Sequence, residues 1–315
     1  MESSSKAHTG PVEGLGGYSS QGYAASLGHI GEAMELPDSG VWLLRRAISG
    51  SDLVDACGCY PLMSCTRGTE LIDDFDSMQG SVVSVTAVLD PLATPGRDEC
   101  ERAFCDLYRP FKRHYLVDLS IDQHGQRSTH HRRSVRRALR DVVVEHAEDP
   151  RVYASEWAGL YRNLIRDYAF EGDPAAFTEE GLAQQLALDG AHYYRALIDG
   201  VCQSACLWLE QDDHIVYHLG ASSKVGRDSK ASFALFDRAL GDAGERGLAR
   251  ANLGGAAGLE DDEQDGLAMF KRGWSSESVD AYLGGRILDR EAYSALCNGE
   301  EAGPFFPTYR AKDRT

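Results

Sequence analysis

Asp265–Leu288 reads DGLAMFKRGWSSESVDAYLGGRIL, and Lys271 and Arg272 stand between Phe270 and Trp274 just ahead of a stretch patterned like a buried strand. An ammonium kept away from water can stabilise the negative charge that grows on an acyl carbonyl, by about 3 kcal/mol. Phe270 and Trp274 would exclude that water, or would stack on a nucleobase for ~1–3 kcal/mol per base. A cation resting on a ring in a surface turn uses the same residues for ~0.5–1 kcal/mol. A second candidate stretch is HIVYHLGASS, His214–Ser223. His218 could take a proton from an attacking amine, since an unperturbed imidazole titrates near neutrality. Tyr217 points to the other face of the same strand, so at most one of the two lines a cleft. Gly220 suits an irregular backbone there.

Three further groups could meet a phosphate or an acyl donor. Ser222 opens a loop that carries Lys224, Arg227 and Lys230 into a helix, and helix N-termini attract phosphate. Asn252 and Gly254 end a short strand, where an amide and a bare backbone can approach a ligand. RSTHHRRSVRRALR places Arg132, Arg133, Arg136, Arg137 and Arg140 on one broad helical face. Such a stripe repels itself unless phosphates or the chain's own carboxylates answer it. The acidic run Glu260–Asp265 reads as a solvated loop.

Composition narrows the classes. The chain has 315 residues, 43% of them hydrophobic, which suits about two domains with buried cores. Its formal net charge is -17, which disfavours broad non-specific binding to nucleic acid. The longest apolar runs are too short to span a bilayer, and the first residues have no apolar signal core. The expectation is a cytoplasmic protein without a membrane span, with residues 1–15 as a flexible N-terminus. Eight cysteines, three of them in CGCYPLMSC, match no common zinc spacing, so no metal is expected. No G-x-S-x-G elbow is present, which argues against a serine hydrolase.

The elements that must position these residues alternate. Strands are expected at Val41–Ile48, Ala56–Ser64, Val82–Leu89, Lys112–Leu119 and Val142–His146, with helices at Arg97–Tyr108 and Thr129–Arg140. After a boundary near HAEDPR comes an amphipathic helix, Val152–Tyr168, and a second helix capped by Thr178. Strands follow at Tyr193–Ile198, Val201–Leu209 and His214–Leu219, the first two joined by an Asp199-Gly200 hairpin. A helix at Ala231–Ala243, capped by Asp228 or Ser229, and strands at Ala249–Leu253 and Val279–Ile287 complete the pattern. No tandem repeat is evident.

GCYPLMSC, VVSVTAVLDP, FKRHYLVDL and HHRRSVRRAL, with HIVYHLGASS, ASFALFDRAL, ARANLGGAAG, DGLAMFKRGW and FFPTYR, together resemble the FemABX-like branch of the GNAT acyltransferase superfamily. The resemblance runs from about Val41 to Arg310. It implies an α+β fold of two GNAT-like domains in tandem, each a mixed, mainly antiparallel sheet flanked by helices. A degenerate domain would occupy 16–149 and the acyl-transfer domain 150–315. It also implies a bulged strand at His214–Ser223 whose free amides hold the acyl carbonyl, and a Phe-Lys pair, matched here by Phe270 and Lys271, that holds the aminoacyl end of a tRNA. KVGRDSKAS keeps Gly226 but departs from the usual coenzyme A loop.

The resulting expectation is an N-acyltransferase that forms an amide. Its co-substrate is aminoacyl-tRNA or acyl-CoA, with no bound cofactor. Its acceptor is an amine on a cell-wall precursor, a peptide or a small metabolite. Lys271 and His218 are the candidate catalytic residues. Phe270, Trp274, Tyr217, Gly220, Ser222, Lys224, Arg227, Asn252 and Gly254 would bind donor, and Arg132, Arg133, Arg136 and Arg137 phosphate. The alternative is a non-catalytic binder of RNA or phosphometabolites on the same fold.

Overall fold

The structure is a computed structural model that describes residues 16–122, 125, 127–167, 176–256, 265–299 and 305–314. The flexible N-terminus expected at 1–15 and most of the acidic run lie outside the described residues. A short helix α1 (Gln21–Ser26) leads into β1 (Glu32–Glu35), β2 (Trp42–Ala47) and β3 (Val54–Gly58). Then come α2 (Gly68–Ser77), β4 (Ser84–Val88), α3 (Arg97–Ala103), β5 (Leu107–Asp118), α4 (Thr129–Ala138) and β6 (Val143–His146). The later half continues with α5 (Ala154–Asp167), α6 (Glu179–Leu186), β7 (Ala191–Ile198), β8 (Val201–Gln211), β9 (His214–Ser222), α7 (Lys224–Asp228) and α8 (Ala231–Glu245). It ends with β10 (Arg250–Asn252), α9 (Gly266–Arg272), β11 (Glu277–Ile287) and α10 (Arg290–Cys297).

Local signals account for most boundaries. Ser128 caps α4 by accepting from the His131 N–H, and Thr178 caps α6 by accepting from Gly181. Asp199 and Gly200 both take positive φ, 51° and 77°, as a two-residue hairpin turn between β7 and β8 requires. Three expectations shift. The helix expected at Arg97–Tyr108 ends at Ala103, and Leu107 and Tyr108 already belong to β5, which pairs with β11. The strand expected at Ala56–Ser64 stops at Gly58, ahead of Pro61, because proline cannot donate to a ladder. The cap expected at Asp228 or Ser229 is replaced by Lys230 in the left-handed region, φ 59°, with no side-chain cap on α8.

All strands join one 11-stranded sheet in the order β1-β2-β3-β4-β11-β5-β10-β9-β8-β7-β6. The arrangement is α+β and GNAT-like in each half, and the order shows an exchange. β5, from the first half, lies against β10 of the second, while β11, from the second half, lies against β4 of the first. β5 and β11 meet antiparallel at the centre. Each half also has one parallel pair, β3 with β4 and β9 with β10. The two sets of strands are therefore related about the β5–β11 seam.

Alternation along β8 divides the later core. Cys206 and Trp208 face a cluster with Ile215, Phe236 and Trp274 under α4, α8 and α9. Leu207 and Leu209 face Tyr23, Trp157, Leu182 and Val216 under α1, α5 and α6. The first half packs Leu71, Phe75, Cys100 and Phe104 of α2, α3 and the residue after it on Leu43, Ala56 and Val85. Among the described residues no helix is long and apolar enough to cross a membrane.

Candidate active site

The site is a gap in the sheet. β9 and β10 pair only at Arg250↔His214, Ala251↔Ile215 and Asn252↔Val216. β9 then runs on to Ser222 with its ladder to β8 alone. Leu253 and Gly254 instead turn to β5, where the Leu253 N–H donates to the Tyr115 carbonyl (2.9 Å) and the Tyr115 N–H to the Gly254 carbonyl (3.2 Å). Among the described residues the edge of β9 from Tyr217 onward therefore presents backbone groups with no neighbouring strand. A bulge sits at this point, because Leu207 pairs with Leu219 and Trp208 with Tyr217, leaving His218 as the extra residue. Gly220 is forced by packing: a Cβ there would collide with the Tyr217 hydroxyl.

Lys271 fills the mouth of the gap. α9 forms because Asp265 accepts from the Leu267 and Ala268 N–H groups, and its last turn carries Lys271 inward. The side chain is 5% exposed, and Nζ donates to the Gly255 carbonyl at 2.7 Å. It also lies 5.5 Å from the centre of the Tyr217 ring. Gly254, at φ 74°, is bare on the side where a Cβ would stand 3.2 Å from Nζ. Burial pulls the Lys271 pKa from 10.5 down to about 7, helped by the nearby Lys112 and opposed by Asp265.

Asn252 is fully buried beside this cation. Its Oδ1 accepts from the Gly254 N–H (2.9 Å) and lies 3.1 Å from His114 Nδ1. Its Nδ2 has no hydrogen-bond partner among the described residues. Burial first, and Lys271 second, lower the His114 pKa to about 4, so the ring is neutral. Lys112 Nζ donates to the Ala256 carbonyl at 2.9 Å. Sequence reasoning missed His114 and Lys112, because both ride on the exchanged strand β5. Their strand was legible in FKRHYLVDL, but nothing in it announces which neighbour it will take.

The other candidates separate into two faces. Phe270 and Trp274 lie on the α8 face with Tyr217, packed against Phe233 and Phe236. Trp274 is 1% exposed, with the Arg127 guanidinium 5.0 Å over its ring. His218 lies on the opposite face. Its Nδ1 is 3.0 Å from the Tyr18 hydroxyl and its Nε2 3.1 Å from Gln185 Oε1, so both nitrogens are engaged. Burial drives its pKa down to about 3. The structure does not bring His218 and Lys271 together. A neutral, doubly bonded imidazole has no lone pair free for an amine's proton in this state.

At the end of β9, Ser222 Oγ lies 2.6 Å from Ser204 Oγ and 3.4 Å from Ser232 Oγ. Lys224 pairs with Asp228 (2.6 Å) and Arg227 with Asp167 (2.8 Å), so both cations already face carboxylates. Lys230 Nζ donates to Ser134 Oγ of α4 at 3.0 Å, tying that helix to the start of α8. On α4, Arg132 turns back to the Arg127 carbonyl (2.8 Å) and to Thr129 (3.1 Å). Arg133, Arg136, Arg137 and Arg140 are exposed and form no ion pair with any described residue.

A parallel pair thus splays beside a bulged strand, with the buried Lys271 at the opening. The chain belongs to the acetyltransferase (GNAT) domain family, whose model matches residues 115–272, just over half of it. Its fold is that of the FemX-like branch. The crystal structure of FemX superposes at a TM-score of 0.66, covering 87% of this chain and 93% of that one at 14% identity. The C-terminal domain of a protein described as a lysylphosphatidylglycerol synthetase, from Agrobacterium fabrum, gives 0.59 over 88% and 89% at 17% identity. L-PGS from Bacillus licheniformis gives 0.57 over 86% and 93% at 14% identity. At these identities the likeness is one of fold. No curated protein sequence matches the chain.

Proposed function

We propose that this GNAT acyltransferase forms amides by moving an aminoacyl group from the 3′ end of a tRNA to an amine acceptor in the gap between β9 and β10. The observation that carries the reading is Lys271: a buried ammonium whose described partner is the Gly255 carbonyl, beside a strand edge that no described strand covers. A bound ester carbonyl would share that ammonium and the free amides of β9, which stabilise the oxyanion as the amine attacks. The new C–N bond forms, the ester C–O bond breaks, and the amine's proton leaves for the ribose oxygen or solvent. Phe270 and the buried Trp274 keep the ammonium from bulk water, and the Asn252 amide offers a further donor. The departure of KVGRDSKAS from the coenzyme A pattern favours an RNA-borne donor.

One observation favours acyl-CoA instead. α8 begins at Lys230 without a side-chain cap, which leaves N–H groups for a pyrophosphate. Purified protein supplied with an amine acceptor and either charged tRNA or acyl-CoA separates the two, read by the intact mass of the product. Product from charged tRNA alone supports the reading, and product from acyl-CoA alone replaces it. RNA binding with no product from either donor makes the protein a binder.

A further inference from the structure

We propose that the exposed arginines of α4 and the turn after it dock the duplex backbone of the donor RNA, a proposal that rests on the tRNA-donor reading. Arg133, Arg136, Arg137 and Arg140 follow at steps of three, one and three, which puts them on one face of a helical turn path. The stripe extends about 10 Å along the axis at ~1.5 Å per residue. Phosphates on one strand of a duplex advance about 3 Å per step along its axis, so the stripe can meet three or four in succession. Among the described residues no ion pair neutralises these four side chains, although the chain carries 49 acidic residues. Carboxylates are abundant, and none of the described ones is placed against them.

The stripe is also placed where a donor must pass. The opposite side of α4 buries His131, Ser134, Val135 and Ala138 against the α8 face. His131 Nε2 lies 2.8 Å from the Phe270 carbonyl, one residue from Lys271, and Ser134 meets Lys230 at the start of α8. One helix thickness, about 10 Å, therefore separates the arginines from the Phe270-Lys271 pair. A ligand that touches both must be an extended polyanion with its acyl group at one end. Coenzyme A carries a pyrophosphate and one separate 3′-phosphate, too few to cover four arginines in line, and a lipid surface would call for a broad apolar patch, whereas the exposed large apolar side chains described next to the stripe are Leu139 (51%) and Val143 (63%).

The test uses the full chain with all four arginines changed to Gln, and a second variant with all four changed to Lys. Binding of uncharged full-length tRNA is measured from 50 to 200 mM salt. Transfer is measured with aminoacyl-tRNA and with a 3′-aminoacyl-dinucleotide that has no duplex. The Gln variant is expected to lose about 3–4 from the slope of log affinity against log salt, an affinity loss on the order of 10²-fold at the low-salt end. Its preference for full-length donor over the dinucleotide falls by the same factor, and the Lys variant recovers most of both. A Gln variant with unchanged tRNA affinity and salt slope overturns the proposal. So does a loss confined to vesicles of phosphatidylglycerol, with RNA binding intact. Arginine-dependent RNA binding with no transfer from either RNA donor would sink the tRNA-donor reading and leave the docking surface standing.

Discussion

Each half of the sheet contains a parallel pair that begins to part, and only one of the two partings is left open. In the first half β3 and β4 pair at Ala56↔Val85 and Cys57↔Thr86, and the chain then folds back into the widening space. Met63 bridges to Leu89, its N–H donating to the Val88 carbonyl (2.7 Å), and the Cys65 N–H reaches the Ala93 carbonyl (2.8 Å). α3 ends at Ala103, and Phe104, 1% exposed, presses its ring against Gly284. In the second half no described residue after β10 bridges to β9, and the corresponding helix α9 delivers Lys271 there. One layout thus makes an apolar plug in one place and a charged opening in the other. The plugged half still lines the opening, because its strand β5 brings His114 to Asn252 and Lys112 to the Ala256 carbonyl.

The largest expected effect is on the plug. Phe104→Ala removes a fully buried ring and should cost ~3–5 kcal/mol of unfolding free energy, read by denaturant midpoint. Transfer per folded molecule should stay within about twofold. If transfer falls with stability, the first half is part of the reacting site and the contrast between the halves fails.

Lys271→Met gives the opposite signature. Transfer should fall about 10²–10³-fold, the usual consequence of removing one oxyanion donor. Stability at neutral pH should rise, because a buried cation is replaced by an apolar chain of similar length. The pH dependence has a fixed sign. The folded pKa, about 7, lies below the ordinary 10.5, so the folded state loses its proton first. The cost of burying the charge is complete below pH 7 and is relieved as pH rises toward 10.5. The stability advantage of Lys271→Met over the parent should therefore shrink between pH 7 and 10.5, as measured by thermal unfolding at a series of pH values. An advantage that does not vary with pH would mean that the ammonium is not buried in solution.

How much of this could be read from sequence depends on distance along the chain. Features set within a few residues were legible: the Thr178 cap, the Asp199-Gly200 hairpin, the strands at Val82–Leu89 and His214–Leu219, and the opposite faces of Tyr217 and His218. The inward aim of Lys271 was half legible. Asp265 just before GLAMFK is a helix-start signal, yet the sequence leaves a surface turn open beside a water-excluded cation, because the helix is only seven residues long. Features set by pairing across the chain were not legible. Period-two patterning says that β5 and β11 are strands but not that they trade places, so His114 and Lys112 could not be assigned to the cleft. Nor does sequence spacing show which cations find a carboxylate: Lys224 and Arg227 do, while Arg133 does not.

Asn252→Ala comes next in size. It leaves the Gly254 N–H without its acceptor and strips His114 of its partner, both in a buried place, for a cost of about 1–3 kcal/mol. If the free Nδ2 bonds the reacting carbonyl, transfer drops further than the lost stability explains. Asn252→Asp separates the two roles, because a carboxylate keeps the acceptor and loses the donor. A variant of normal stability and reduced turnover at saturating donor assigns Nδ2 to the reaction. Normal turnover confines Asn252 to holding Gly254 in its turn.

The smallest effects come from two tyrosine hydroxyls, and they set the halves against each other most directly. Tyr309 is 9% exposed, and its hydroxyl lies 2.8 Å from Ser84 Oγ and donates to Asp55 at 3.1 Å. Tyr309→Phe leaves those buried partners short of a bond and should cost about 1–2 kcal/mol in stability with no change in donor KM. The Tyr217 hydroxyl, beside Gly220 at the open edge of β9, has no hydrogen-bond partner among the described residues. Tyr217→Phe should then change stability by less than about 0.5 kcal/mol. If that hydroxyl meets the donor, its loss raises donor KM by about 2–10-fold, the worth of one neutral hydrogen bond. A stability loss at Tyr217 as large as that at Tyr309 would mean that the second gap is internally satisfied like the first, and that the donor enters elsewhere.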